Sequence, residues 1–134
     1  MGRSVPDTTD SLTLLGKRVL VVEDEPFIAF DIADTIEKEG GHVVGPAMSI
    51  RAALHILSQE EVDGAILDVN LPDGDIGPVI AALQVRGIFC VIHTGAGLTP
   101  ELQDMYPHLR VFLKPTPPSL LAHAVAEKLA APST

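Results

Sequence analysis

Several apolar runs of this sequence end in polar side chains that could work together on phosphate or a metal ion. Glu23 and Asp24 follow the run RVLVV, and Asp68 follows GAIL. Thr94 follows FCVI and one histidine, and Lys114 follows VFL. A carboxylate at the edge of an apolar segment costs free energy unless it is solvated, paired or bound to a metal. One aspartate could cap the next turn, but polar groups at four separate run ends favour a shared site.

The residue types in this set define the chemistry that it could perform. Clustered carboxylates repel one another, so at least one pKa should rise unless a cation is present. Such a set suits Mg²⁺, which binds through one or two carboxylates plus phosphate oxygens. The Lys114 ammonium offers a positive charge for a phosphoryl oxygen, and Asp68 could act as a nucleophile that forms an aspartyl phosphate. Phosphoryl transfer needs mainly positioning and charge neutralisation, and this set supplies both.

The elements that position these side chains are short β-branched runs alternating with helical patterns. Strands are predicted at residues 18–22, 42–45, 65–67, 89–92 and 111–113. Helices are predicted at residues 26–39, 50–59, 76–86 and 120–130, with Ser49 and Ser119 as caps of the second and last. Residues 95–110, with two glycines and two prolines, predict a loop or one short turn. The alternation indicates a parallel sheet with helices on both faces, whose strands' carboxyl ends form the ligand site.

Composition excludes several other classes of protein. The 134 residues suit one domain, and 46% hydrophobic residues argue against general disorder. A net charge of −9 argues against nucleic-acid binding, and no basic amphipathic stretch indicates a membrane surface. The single cysteine, Cys90, lies in an apolar run and is predicted to be a buried, inert thiol. With no signal peptide or membrane span in evidence, we expect a cytoplasmic protein.

Four motifs carry a resemblance to a known family. They are VLVVEDE (19–25), LDVNLPDG (67–74), HTGAG (93–97) and FLKP (112–115). In order and spacing the sequence resembles the CheY-like receiver domain of two-component response regulators over about residues 16–131. The resemblance implies a flavodoxin-like, doubly wound α/β fold with five parallel strands in the order 2-1-3-4-5. It also implies a signalling protein, not an enzyme.

The resemblance assigns roles to individual residues. It implies that Asp68 is the phosphoacceptor, that Thr94 is the switch hydroxyl and that Lys114 pairs with the phosphoryl oxygen. Lys114 and Pro115 are expected to be joined by a cis peptide bond. The expected cofactor is Mg²⁺, with Asp24 as a direct ligand and Glu23 acting through water. The complete predicted ligand set is Glu23, Asp24, Asp68 and the backbone carbonyl of Asn70.

A subclass resemblance covers residues 77–97. These residues are similar to a group of single-domain receivers, common in alphaproteobacteria, with a Phe-Ala-Thr-Gly type motif on the fourth strand. The fourth helix of that group is shortened or replaced by a loop, which fits residues 95–110. The sequence departs from the pattern at His93, where alanine is usual. It also has Val111 where receivers usually hold an aromatic switch residue, so we expect the signal to leave through residues 95–110 or around the fifth strand.

The domain organisation follows from the extent of the family resemblance. Residues 1–16 are expected to form a flexible N-terminal leader and residues 17–131 the receiver domain, with no output domain. The expected function is a single-domain response regulator of a phosphorelay. It would accept a phosphoryl group from a histidine kinase or a histidine phosphotransferase, and then either signal to a downstream protein partner or act as a phosphate sink.

Three alternative functions share parts of this pattern. A pseudo-receiver would bind partners in the same fold without phosphorylation. A haloacid-dehalogenase-type phosphatase needs a second acid two residues after its nucleophile, where this chain has Asn70. A flavodoxin needs a phosphate-binding loop after the first strand, where this chain has the acidic EDEPF.

Overall fold

Strands and helices alternate along the part of the chain that the computed structural model describes, residues 13–130. The elements are β1 (Arg18–Val22), α1 (Pro26–Lys38), β2 (His42–Ala47), α2 (Ile50–Gln59), β3 (Gly64–Asp68), β4 (Asn70–Leu71), β5 (Gly74–Asp75), α3 (Gly77–Val85), β6 (Phe89–Thr94), α4 (Pro100–Met105), β7 (Arg110–Leu113) and α5 (Pro118–Leu129). The predicted α/β alternation is confirmed.

The main sheet has five parallel strands in the order β2-β1-β3-β6-β7. Counted among these five strands alone, this is the predicted order 2-1-3-4-5. The structure differs in one detail, because β4 and β5 form a separate two-stranded antiparallel sheet directly after β3. The register sets Asp68 beside His93 and Thr94 beside Leu113, so the carboxyl ends of neighbouring strands lie together.

Two apolar cores cover the two faces of the sheet. In β1, Leu20 and Val22 pack in the core beneath α2 and α3, whereas Val19 and Val21 pack in the core beneath α1 and α5. Successive strand side chains point to opposite faces, and all four of these residues are almost completely buried. The continuous apolar strand runs are therefore explained by helices on both sides of the sheet.

Close packing of α5 depends on one glycine of β3. A Cβ atom added at Gly64 would lie 2.8 Å from Cγ1 of Val125, closer than packed side chains allow. The missing side chain lets α5 approach the sheet.

The helix ends confirm one predicted cap and correct another. The Ser49 hydroxyl accepts a hydrogen bond from the Ala52 N–H at 3.0 Å, as predicted for the start of α2. The prediction for Ser119 is wrong, because α5 already begins at Pro118, with Pro117 at the cap position and no capping side chain. Proline suits a first helical position, where its missing N–H would have no helical partner. The fourth helix is shortened to six residues, as expected.

The packed structure begins before residue 17. Leu14, which falls in the predicted leader, is completely buried, and its N–H donates to the Glu39 carbonyl at 3.2 Å. Residues 13–16 are therefore joined to the domain, whereas residues 1–12 of the predicted leader lie outside the described residues. Among the residues that are described, no helix is long and apolar enough to span a membrane.

Candidate phosphoryl and metal site

Four strands deliver the predicted site residues to one edge of the sheet. Glu23 follows β1, Asp68 ends β3, Thr94 ends β6, and Lys114 follows β7. Backbone hydrogen bonds fix two of these ends, since the Lys114 N–H donates to the Thr94 carbonyl at 2.8 Å and the Glu23 N–H donates to the Ala47 carbonyl at 2.9 Å. The parallel sheet thus converts distant sequence positions into one cluster.

The Lys114 ammonium lies at the centre of this cluster. Its Nζ atom lies 3.2 Å from Oε1 of Glu23, 3.3 Å from Oε2 of Glu25 and 3.4 Å from Oδ2 of Asp68. The Lys114 side chain is 18% exposed, and those of Glu23 and Asp68 are 2% and 5% exposed. Water screens these charges weakly, so the lysine compensates carboxylates that would be costly to bury alone.

Carboxylate charge exceeds what Lys114 alone can balance. Burial, aided by the nearby Asp68 charge, raises the pKa of Glu23 from 4.5 to about 7. The Glu25 N–H, which donates to Oε2 of Glu23 at 3.1 Å, and Lys114 oppose this rise only in part. Burial lowers the pKa of Lys114, but Asp68 and Glu23 outweigh that effect and the pKa lies above its usual value.

The donor set fits a hard divalent cation. Single carboxylate oxygens of Glu23, Asp24 and Glu25 all lie within 4.8 Å of one another. The Asn70 N–H donates to Oδ1 of Asp68 at 3.4 Å, so the backbone of Asn70 runs beside the phosphoacceptor candidate. Oxygen-only ligands and excess negative charge are what Mg²⁺ requires. Glu25, absent from the predicted ligand set, belongs to both the acidic group and the lysine cluster.

Thr94 is completely buried, and its hydroxyl is bonded within the segment that follows β6. It accepts from the Ala96 N–H at 3.2 Å and donates to the Gly97 carbonyl at 3.4 Å. Among the hydrogen bonds of residues 13–130, none joins this hydroxyl to Asp68. Thr94 therefore lies at the predicted edge, but its side chain is engaged elsewhere.

Two acids after β3, Asp73 and Asp75, accept backbone hydrogen bonds at the starts of helices. Both carboxylate oxygens of Asp73 accept N–H groups at the start of α2, from Ile50 at 2.8 Å and Arg51 at 3.0 Å. Asp75 accepts the Gly77 N–H at 2.9 Å, at the start of α3.

Sequence reasoning gave His93 no role, yet it is buried beside the cluster. It is 4% exposed, and its Nε2 atom accepts a hydrogen bond from the Thr116 N–H at 3.4 Å. Burial and the neighbouring Lys114 lower the pKa of His93. A polar residue inside an apolar strand run was the available signal, but its partner lies 23 residues away in the sequence.

Comparisons with known proteins agree with this geometry. Residues 19–125 match the family of the response regulator receiver domain. The chain is 35% identical over 84 residues to the transcriptional regulatory protein PdtaR of Mycobacterium tuberculosis, covering 60% of this chain and 41% of that protein. It is 32% identical over 93 residues to the phyllosphere-induced regulator PhyR of Methylorubrum extorquens, covering 65% of this chain and 35% of that protein.

Solved structures give the same result for the fold. The crystal structure of a CheY-like response regulator receiver domain protein from Methanospirillum hungatei superposes with a TM-score of 0.76 at 26% identity. The match covers 85% of this chain and 94% of that one. The chain matches less than half the length of PdtaR and PhyR. Since the matched family covers most of the chain, including all four strand ends of the site, the protein belongs to the response regulator receiver domain family.

Proposed function

We propose that this protein accepts a phosphoryl group on Asp68 from the phosphohistidine of a histidine kinase or a histidine phosphotransferase, in a Mg²⁺-dependent reaction. The observation that carries the proposal is the position of Asp68. Its carboxylate lies almost completely buried at a strand end. It is 3.4 Å from the Lys114 ammonium and lies beside the acidic residues that follow β1. A carboxylate serving only as a turn cap would not need this environment.

The reaction uses the chain's own residues in three roles. An Asp68 carboxylate oxygen attacks phosphorus, and the new P–O bond forms as the P–N bond to the donor imidazole breaks and its electron pair returns to nitrogen. The Lys114 ammonium, now shared among three carboxylates, balances charge on a phosphoryl oxygen. The Thr94 hydroxyl donates to another phosphoryl oxygen after leaving its present bond to Gly97.

The proposed Mg²⁺ ligands are Glu23, Asp24, Asp68 and the backbone carbonyl of Asn70, with Asp24 direct and Glu23 through water. When bound, the ion supplies positive charge that neutralises phosphoryl oxygens. The high pKa of Glu23 supports this assignment, because it reflects a carboxylate that is buried, with the Asp68 charge nearby, and a bound cation would offset both effects. Glu25 lies close enough to contribute through its own carboxylate.

Phosphorylation is proposed to act through the segment that follows Thr94. Drawing the hydroxyl toward Asp68 breaks its bonds to Ala96 and Gly97, which hold the start of residues 95–110. That segment contains the six-residue α4, as in the single-domain group that the sequence resembles. We propose that the protein is a cytoplasmic single-domain regulator of this kind, which signals by protein contact or drains phosphate from a relay.

Intact-mass spectrometry tests the proposal. The wild type and Asp68→Asn are incubated with acetyl phosphate in Mg²⁺ and, separately, in EDTA. We expect one added phosphoryl group in the wild type with Mg²⁺ and none in the other three samples. Equal phosphorylation of the Asn variant would contradict the assignment of Asp68. Absence of phosphorylation from both acetyl phosphate and phosphorylated kinases would favour the pseudo-receiver function.

A further inference from the structure

Within residues 13–130, four polar side chains are buried, and only one of them has no part in the proposed phosphoryl site. Glu23, Asp68 and Thr94 are the other three, and His93 is the exception. Buried polar groups normally have hydrogen-bond partners that explain their presence. The contacts of His93 therefore indicate what its side chain does.

One nitrogen atom of the His93 ring has a hydrogen-bond partner and the other has none. Its Nε2 atom accepts from the Thr116 N–H at 3.4 Å, so the ring proton resides on Nδ1. The Nδ1 atom is buried and has no hydrogen-bond partner. A buried donor without an acceptor destabilises a fold, so stability alone does not account for a histidine here. The ring is joined to polar structure through Thr116 only.

Two tethers connect the end of β6 to the turn after β7. The first is the backbone bond from the Lys114 N–H to the Thr94 carbonyl, at 2.8 Å. The second is the bond from Thr116 to His93, the residue just before Thr94. The Thr116 hydroxyl donates to the Leu113 carbonyl and closes the turn around Lys114. Lys114 is therefore tied to Thr94 directly, whereas Thr116, farther along the turn, is tied to the end of β6 through His93.

The turn also forms part of the surface beside α1. A cavity of about 440 Å³ is bounded by Ile28 and Ile32 of α1 on one side, and by His93 and residues 114–118 on the other. A change in the position of Thr116 would alter the shape of this cavity.

We propose that His93 is a positioning residue that transmits the phosphorylation state of Asp68 from Thr94 to the turn at residues 114–118, through its hydrogen bond with the Thr116 N–H. This inference rests on the proposed function, because it requires a phosphoryl group at Asp68. The bond is longer than a typical hydrogen bond, and a small shift of the strand end is sufficient to break it.

The test follows backbone amides by NMR in the full chain, with and without beryllofluoride and Mg²⁺ as the phosphoryl mimic. His93→Phe keeps a ring but removes the acceptor, and His93→Leu is a second acceptor-free variant in case the first does not fold. His93→Gln restores an acceptor, and the exposed His55→Phe is the matched control. In wild type, His93→Gln and His55→Phe, the mimic should shift the amides of Asp68, Thr94 and Thr116.

In the acceptor-free variants, Asp68 and Thr94 should still respond while the response of Thr116 is lost. The Thr116 amide should also exchange with solvent up to about tenfold faster before the mimic is added, as expected for loss of one hydrogen bond. A Thr116 response that persists in these variants would overturn the inference alone, as would a wild-type response confined to Asp68 and Thr94. Absence of any response in the wild type would overturn the proposed function together with it.

Discussion

Replacing Glu23 by glutamine should stabilise the metal-free protein at pH 8, even though the substitution removes an ion pair with Lys114. Glu23 is 1% exposed and has a pKa of about 7 in the folded protein, against 4.5 as the ordinary value. Between these two values the folded protein binds more protons than the unfolded chain. The free energy of unfolding therefore falls as the pH rises from about 4.5 to about 7.

The pKa difference sets the size of the effect. Once Glu23 is ionised in both states, burying its charge costs about 3 kcal/mol, and most of this cost develops between pH 5 and pH 8. Glutamine keeps the shape of the side chain and carries no charge. Relative to that of the wild type, the free energy of unfolding of Glu23→Gln should therefore rise by about 2 kcal/mol between pH 5 and pH 8.

Urea unfolding in EDTA at pH 5 and pH 8 measures this gain. The comparison must be between variant and wild type, because the lowered pKa of His93 makes stability rise with pH up to about its ordinary value of 6.5, the opposite direction. Glu37→Gln, an exposed position on α1, is the matched control and should show no such gain. Because the acidic site is proposed to bind Mg²⁺, adding Mg²⁺ at pH 8 should also stabilise the wild type more than it stabilises Glu23→Gln.

Two results would refute this pKa for Glu23: an equal difference in stability between Glu23→Gln and the wild type at both pH values, or a variant that loses stability relative to the wild type between pH 5 and pH 8. Either result would mean that the Glu23 carboxylate is adequately compensated in the metal-free protein. The electrostatic support for a cation at this site would then be lost.

Three further predictions concern other parts of the structure. Lys114→Met should lower the rate of Asp68 phosphorylation by acetyl phosphate by about a hundredfold, as expected for loss of a charge-stabilising group; a wild-type rate in a mass-spectrometric time course would contradict this. Asp73→Ala should lower the thermal midpoint by removing the two N–H acceptors at the start of α2 but leave phosphorylation unchanged; lost phosphorylation in a folded variant would instead place Asp73 in the metal site. Cys90, whose pKa burial raises to about 12, should resist maleimide at pH 8 in the native protein and react in urea; native labelling would show that β6 opens readily.

The sequence predicted the sheet, and the strand ends at which polar side chains meet, because both depend on local patterns. Apolar runs mark β1, β3 and β6, and the first polar residue after a buried parallel strand must lie at the carboxyl edge of the sheet. The order of the five main strands and the shortened α4 followed from the family resemblance.

Contacts made by turns could not be predicted in this way. Asp73 caps α2 across 23 residues of sequence, and Thr116 reaches His93 across the same separation. Such bonds depend on how two turns approach in three dimensions, which no periodicity records. The error at Ser119 has a local cause, since α5 starts at Pro118, two residues earlier than predicted, with Pro117 at the cap position and no capping side chain.

Locating the phosphoryl group on the chain tests whether Asp68 is the phosphoacceptor. The protein is phosphorylated with acetyl phosphate and Mg²⁺, reduced with borohydride, which converts an aspartyl phosphate into homoserine, and analysed by peptide mass spectrometry. We predict homoserine at position 68 alone, with no conversion in Asp68→Asn or in EDTA. Conversion at another acid of the cluster, such as Asp24, with Asp68 unmodified, would contradict the account.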